Sequence, residues 1–256
     1  VNSDKTHLLV ISKSSGGELH GRQAAERRAA VTLTAGGEVI RQSDSEMLLG
    51  ATIHHSGTWT AMIRDGKASL QAQLRSRVNA LRKICQHADL KTRKMVAAGI
   101  ITSKLLYVLP LFGAAPDYLM RTLQVQQMAA ARAVVGPMAY RWSNLRILSY
   151  LGWLNVRQLY VVSVLTLTHK IVVSGKPSNL SRSIVSDFPY ATRSAAAQEL
   201  RAWAGTVRAR DRTAVTVRTF RYQAILHYNQ IPAEFRSLGQ TQFKTAVKKW
   251  ARTYVM

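Results

Sequence analysis

Two periodicities divide the chain. Up to Trp59 the apolar positions come in short runs or alternate: His7 to Ser12 (HLLVIS) has the length of a buried strand, and Val31 to Ile40 (VTLTAGGEVI) alternates around Gly36-Gly37 as a hairpin does. Met47 to Ile53 (MLLGATI) reads as a further strand with a glycine at its centre, and Glu26 to Ala30 closes a short helix begun near Gly21. So little strand cannot stand as an independent sheet, and the section reads as a small α+β edge.

Beyond Trp59 the apolar spacing lengthens to about three and a half residues. Ile63, Leu70, Leu74, Leu81 and Ile84 predict the stripe of one long helix, with Lys67, Arg75, Arg77, Arg82 and Lys83 mostly off it. Asp89 caps a second helix predicted to run to Pro110, and Pro116 opens a third that ends at Gly136-Pro137. Three helices on short loops imply a compact antiparallel bundle. Further on, Ser143 caps a short helix stopping near Gly152, and Asn155 opens a strongly apolar one ending at Gly175-Lys176-Pro177. Ala195 to Ala204 is predicted helical, Thr213 to Phe220 alternates as a strand does, and Phe243, Val247, Trp250 and Tyr254 share one face of a last basic helix. The expected fold class is mostly α with a small N-terminal α+β part.

With 256 residues, 47% hydrophobic composition and only 6 prolines, the chain has the material for a folded core in one large domain or two small ones. Its two most apolar stretches are interrupted, Met95 to Ala115 by Lys104 and Pro110 and Tyr160 to Val173 by His169-Lys170. Both fall short of the ~20 clean residues of a spanning helix, so core helices and no membrane partner are expected. The opening Val1-Asn2-Ser3-Asp4-Lys5 reads as the inside of a folded segment, the expectation being a piece of a longer polypeptide.

Charge sharpens the division. The chain carries 36 Lys and Arg against 13 Asp and Glu, a net +23 whose field attracts polyanions. Residues 1–65 hold seven bases and seven acids, and residues 66–256 hold the remaining 29 and 6. The expected organisation is 1–65, 66–137 and 138–256. Between residues 66 and 104, Lys67, Arg75, Arg77, Arg82, Lys83, Lys91, Arg93, Lys94 and Lys104 face a single acid, Asp89. Pairs at four-residue spacing cannot neutralise such a face, so these nine are the candidate phosphate contacts. Trp59 and Tyr107 are candidate stacking rings, and Arg141-Trp142, Trp203 and Arg208 to Arg212 offer a second basic and aromatic surface.

Other chemistry is sparse. The single Cys85 closes no disulfide within the chain and fits a reducing compartment. The seven histidines are scattered, and no metal-ligand spacing, catalytic triad or phosphate-cradling glycine loop is visible.

Several short strings share an order with a known family. Asn2-Ser3-Asp4-Lys5-Thr6 running into His7-Leu8-Leu9-Val10-Ile11 resembles the palm segment just downstream of the catalytic aspartates in reverse transcriptases of non-LTR (LINE-like) retrotransposons. Leu48-Leu49-Gly50-Ala51-Thr52-Ile53, trailed by Trp59, resembles their Leu-Gly-x-x-Ile primer-grip strand. Ile100 to Leu111, then Leu123-Gln124-x-x-Gln127 with Ala131-Arg132, resembles the thumb, and Leu151-Gly152-Trp153-Leu154 the segment after it. Tyr228-Asn229-Gln230-Ile231-Pro232, then Phe243-Lys244 and Lys249-Trp250, resembles the tail of retroelement polyproteins.

The resemblance implies a C-terminal fragment of an RNA-directed DNA polymerase: an incomplete palm edge, a helical thumb and a basic helical extension. Leu49 and Gly50 would belong to the primer grip, and Lys5 matches the palm lysine proposed to protonate the leaving pyrophosphate. The paired aspartates that hold two Mg²⁺ have no counterpart, since no two acids are adjacent. No metal site or cofactor is therefore expected in this chain, Mg²⁺ belonging to the intact polymerase, and the chain alone is expected to be inactive. Its implied partners are RNA, DNA or an RNA–DNA hybrid and the upstream fingers and palm, in an intracellular setting, nuclear and cytoplasmic for an intact element. Charge alone supports a second reading, a non-catalytic basic RNA- or DNA-binding module. A helical structural protein charged only for solubility is disfavoured by +23.

Overall fold

Helix dominates the described residues, opened by side-chain caps at Asp89, Ser143, Asn155 and Thr219 and without one at Pro116 and Gly239. The computed structural model describes residues 7–10, 26, 29–35, 37–40, 42–112, 114–185, 201–202 and 219–253. It is mostly helical, with a small strand region near the N-terminus. The chain divides into two compact units, Val1–Ser76 and Arg77–Met256.

Among the described residues, the first unit holds two hairpins, a short helix and the first turns of a longer one. Strands β1 (Leu33–Ala35) and β2 (Glu38–Ile40) pair antiparallel, with Leu33 opposite Ile40, as the alternation around Gly36-Gly37 predicts. Strands β3 (Ser45–Leu48) and β4 (Ala51–His54) form the second hairpin, with Leu48 opposite Ala51. Here the expectation of one strand over Met47 to Ile53 is corrected. Leu49 and Gly50 have φ of 51° and 77°, both positive, which is the two-residue turn that reverses a twisted ribbon. Of the strand expected at His7 to Ser12, Leu8 makes an isolated parallel bridge to Gln42, and residues 11–12 lie outside the described residues. Of the predicted short helix, Glu26 and Ala29 are helical, and the Ala30 N–H donates to the Glu26 carbonyl at 3.0 Å.

The long helix predicted after Trp59 is broken. Helix α1 (Thr60–Ile63) packs on β4 and stops, Gly66 turns the chain at φ 87°, and α2 (Leu70–Cys85) starts afresh. Its buried positions are Leu70, Leu74, Val78, Leu81 and Cys85. Ile84 is exposed instead, because at ~100° per residue it sits about 80° from the middle of that stripe.

In the second unit the caps act as read. Asp89 accepts the Thr92 N–H at 3.1 Å and starts α3 (Leu90–Ala97). A π turn (Ala98–Thr102) then carries the chain into α4 (Ser103–Phe112). The helical path therefore continues through Lys104 and past Pro110, where an end was expected; the proline removes its own backbone N–H, and the helix stops within a turn of it, at Phe112. Helix α5 (Asp117–Val135) follows Pro116 and ends at Gly136. Helix α6 (Asn144–Leu151) is capped by Ser143 and closed by a left-handed Gly152, and α7 (Val156–Ser174) opens on a reciprocal capping box between Asn155 and Gln158.

Helix α7 is the centre of this unit. It packs against α4, α9 (Phe220–Gln230) and α11 (Gln240–Trp250), and buries Leu159, Val161, Val164, Leu165, Thr168, His169 and Ile171. Leu90–Phe112 and Val156–Ser174 are each long and apolar enough to cross a membrane by length and composition, contrary to the expectation that their interruptions disqualify them. In α7 that apolarity is taken up by the helices around it.

The C-terminal elements are short. Helix α8 (Ser178–Ser183) leads to β5 (Ile184–Val185), which pairs antiparallel with β6 (Arg201–Ala202). The helix predicted over Ala195 to Ala204 is thus corrected at Arg201–Ala202, where backbone pairing with Ile184–Val185 wins; its other residues lie outside the described ones. Phe220, expected to end a strand, opens α9 because the Thr219 hydroxyl caps the Tyr222 N–H, and residues 213–218 lie outside. The Asn229-Gln230-Ile231-Pro232 string makes the corner into α10 (Ala233–Arg236), where Arg236 donates to the Asn229 and Ile231 carbonyls, each at 3.1 Å.

Candidate nucleic-acid interface

The second unit holds 27 of the 36 basic residues and 6 of the 13 acids. Between residues 77 and 185 the imbalance is sharper: fifteen Lys and Arg stand against Asp89 and Asp117 alone. Both acids are engaged. Asp89 caps α3, and its hydrogen bonds with Thr92 hold its carboxyl below the usual range, with Arg93 a lesser cause. Asp117, in the first turn of α5, pairs with Arg157. Among the described residues, no other ion pair involves a base of this stretch.

The nine predicted phosphate contacts fall into different settings. Lys67 and Arg75 are exposed in the first unit. In the second, Lys83 and Lys91 are exposed without a recorded partner, whereas Arg77 is half-buried and donates to the Ile100 carbonyl at 2.7 Å, tying α2 to the π turn. Lys104 lies 6.0 Å from the centre of the Tyr107 ring.

Arg82 and Arg93 meet in a groove of about 680 Å³ lined also by Cys85, Arg132, Gly136 and Tyr140. Each guanidinium is oriented by a neutral oxygen. Arg82 Nη1 donates to Asn79 Oδ1 at 3.1 Å, Arg93 Nε to the Ala88 carbonyl at 2.7 Å and Arg132 Nη2 to Asn144 Oδ1 at 2.6 Å. Burial pushes the Cys85 thiol up and outweighs the pull of Arg93, so the groove contains a thiol and no anionic sulfur at neutral pH.

Beside the groove in sequence, Lys94 joins an aromatic stack. Arg146 lies 4.7 Å from the Trp142 ring centre, Trp142 meets Tyr150 edge-on at 5.1 Å, and Lys94 lies 5.7 Å from the Tyr150 ring centre. Two cations thus sandwich two rings on a surface where Arg146 and Tyr150 are exposed.

Other candidates sit apart. Leu49 and Gly50 occupy the β3–β4 turn, Leu49 being 81% exposed. Lys5, Trp203 and Arg208 to Arg212 lie outside the described residues. Gln124 and Gln127 have structural partners: Gln124 Oε1 accepts the Val156 N–H at 2.8 Å, and Gln127 Nε2 donates to the Leu154 carbonyl at 2.8 Å. They fasten α5 to the start of α7. No group of three metal-ligating side chains occurs among the described residues.

Sequence reasoning missed Arg132, Tyr140, Arg146 and Tyr150 as parts of a surface. Trp142, Arg146 and Tyr150 follow one another at four-residue spacing, a signal that was present. Arg132 joins Arg82 and Arg93 only through tertiary packing. No protein-family model matches the chain, and neither a curated protein nor a solved structure matches it.

Proposed function

We propose that the chain holds a nucleic-acid backbone through its Arg77–Met256 unit, as the C-terminal part of a retroelement reverse transcriptase whose catalytic aspartates belong to the upstream palm. The observation that carries the binding reading is the run of fifteen bases with its two acids already engaged in a cap and an ion pair. Such a surface stays positive until an external polyanion meets it. The polymerase part of the proposal rests on the ordered motif resemblance. In that setting the partners are RNA, DNA or their hybrid, and the place of action is intracellular.

Titration of a labelled duplex at several salt concentrations tests the binding. Five to eight phosphate contacts at about 0.9 each give a log–log slope near −4 to −7, with little dependence on base sequence. A slope near zero overturns the reading. A primer-extension assay separates the polymerase fragment from an active enzyme: no incorporation is expected on primed RNA with Mg²⁺ or Mn²⁺, and reproducible incorporation refutes the assignment. The alternative, a self-contained basic binding module, gains if Leu49→Asn leaves the affinity for a primer–template junction unchanged.

A further inference from the structure

We infer that the groove lined by Arg82, Arg93 and Arg132 seats an unpaired nucleotide, its backbone phosphate on the guanidinium groups and its base against Tyr140. This deepens the nucleic-acid reading and rests on it. A guanidinium has five N–H donors. The bonds recorded for these three go to an asparagine oxygen, a backbone carbonyl and a second asparagine oxygen. The groups are therefore oriented but not neutralised, which is the preorganisation an anion site needs. Among the described residues, no carboxylate lines the groove. Three like charges sharing one concavity repel one another, and a phosphate relieves that repulsion.

The shape favours a nucleotide over a bare anion. A volume of about 680 Å³ exceeds the needs of one phosphate and falls in the usual size range of small-ligand pockets. Tyr140 stands at the groove 86% exposed, on a short 3₁₀ turn (Pro137–Arg141) set by Gly136 at φ 84°. An exposed ring beside a phosphate site offers a stacking face, and base stacking requires a base whose own face is open. Paired bases inside a duplex are already stacked, so the groove discriminates single strands from duplex. Close by in sequence, Trp142 and Tyr150 form a second aromatic pair, each with its own cation.

The test uses the full chain and fluorescence anisotropy with a labelled oligothymidylate of about 16 nucleotides, a blunt duplex of the same length, and base-free polyphosphate as competitor. Tyr140→Ala is expected to weaken oligothymidylate binding about 5- to 100-fold and duplex binding less than about twofold, while Tyr140→Phe stays near wild type. Arg82→Gln with Arg132→Gln is expected to weaken both and to flatten the single-strand salt slope by up to two contacts of ~0.7 each. Circular dichroism checks that each variant remains helical. Equal losses on both probes with Tyr140→Ala, or no loss on either, overturn the nucleotide site, as does polyphosphate competing phosphate for phosphate as well as the oligonucleotide. If wild-type protein binds neither probe, the nucleic-acid reading fails with it; if it binds both and Tyr140→Ala changes nothing, only the groove assignment falls.

Discussion

The hairpins of the Val1–Ser76 unit leave Leu33, Val39, Met47, Leu48 and Leu49 exposed, whereas α7 of the Arg77–Met256 unit buries side chains on nearly every face. A two-stranded ribbon has little to bury against, and a helix surrounded by α4, α9 and α11 has a partner in each direction. Charge follows the same division, with a net +2 up to Ser76 and +21 beyond it. The difference teaches that the excess charge lies on the unit with the larger apolar core. Such a unit can carry the self-repulsion of a basic surface, because the core supplies the compensating stability.

The contrast predicts its largest effect in binding. Changing Arg82, Lys83 and Lys91 together to Ala is expected to make the duplex salt slope shallower by two to three units of ~0.9, whereas Arg64→Ala with Lys67→Ala shifts it by less than one such unit. Parallel lines for the first variant would mean that its face is merely solvated. Next in size is the core. Leu109→Ala is expected to cost about 2–5 kcal/mol in denaturant unfolding, since that side chain is fully buried in α4. A loss below ~1 kcal/mol would break the contrast between the two units.

Acid should erode the second unit. His169 is enclosed by Tyr228 and Phe243, its Nδ1 3.2 Å from the Tyr228 hydroxyl and its ring stacked on Phe243 at 3.8 Å; burial holds its pKa below the ordinary value, as it does for His227. The unfolded chain therefore binds protons first. Stability is complete above pH ~6.5 and declines as pH falls toward the folded-state values, by at most ~1.4 kcal/mol per pH unit for each histidine. Unfolding at pH 7 and pH 5 checks this, and His169→Gln should reduce the dependence. The smallest effect belongs to the first unit. Leu49→Asn, in the left-handed turn position, should raise stability by ~1 kcal/mol or less while weakening any primer contact made by Leu49.

What was legible in the sequence depended on distance along the chain. Asp89, Ser143 and Asn155 each cap a backbone N–H three residues on, so the helix starts followed from local chemistry. The Gly36-Gly37 hairpin was legible for the same reason. The Leu49-Gly50 turn was not, because leucine rarely takes positive φ and the apolar run suggested continuous strand. The basic character of Arg82 and Arg93 was visible, but their convergence with Arg132 needs α2, α3 and α5 to pack, which no short window of sequence encodes. Val78 and Cys85 replaced Ile84 in the buried stripe through a modest error of phase.

Phase is also what the π turn at Ala98–Thr102 governs. The buried residues Ala97, Ile101, Leu105 and Leu109 succeed one another in steps of four, and in an unbroken α-helix each step drifts by about 40° around the axis. The wide turn, closed by the Ser103 N–H on the Ala98 carbonyl, takes back most of that drift and keeps the four in line. An added Cβ on Gly99 would meet nothing within 4 Å, so the nature of the side chain there is nearly free. The count of residues is not: removing one from the turn would restore regular hydrogen bonding and swing Leu105, Val108, Leu109 and Phe112 by about 100° away from α7. At this point the fold is written in length rather than in residue type.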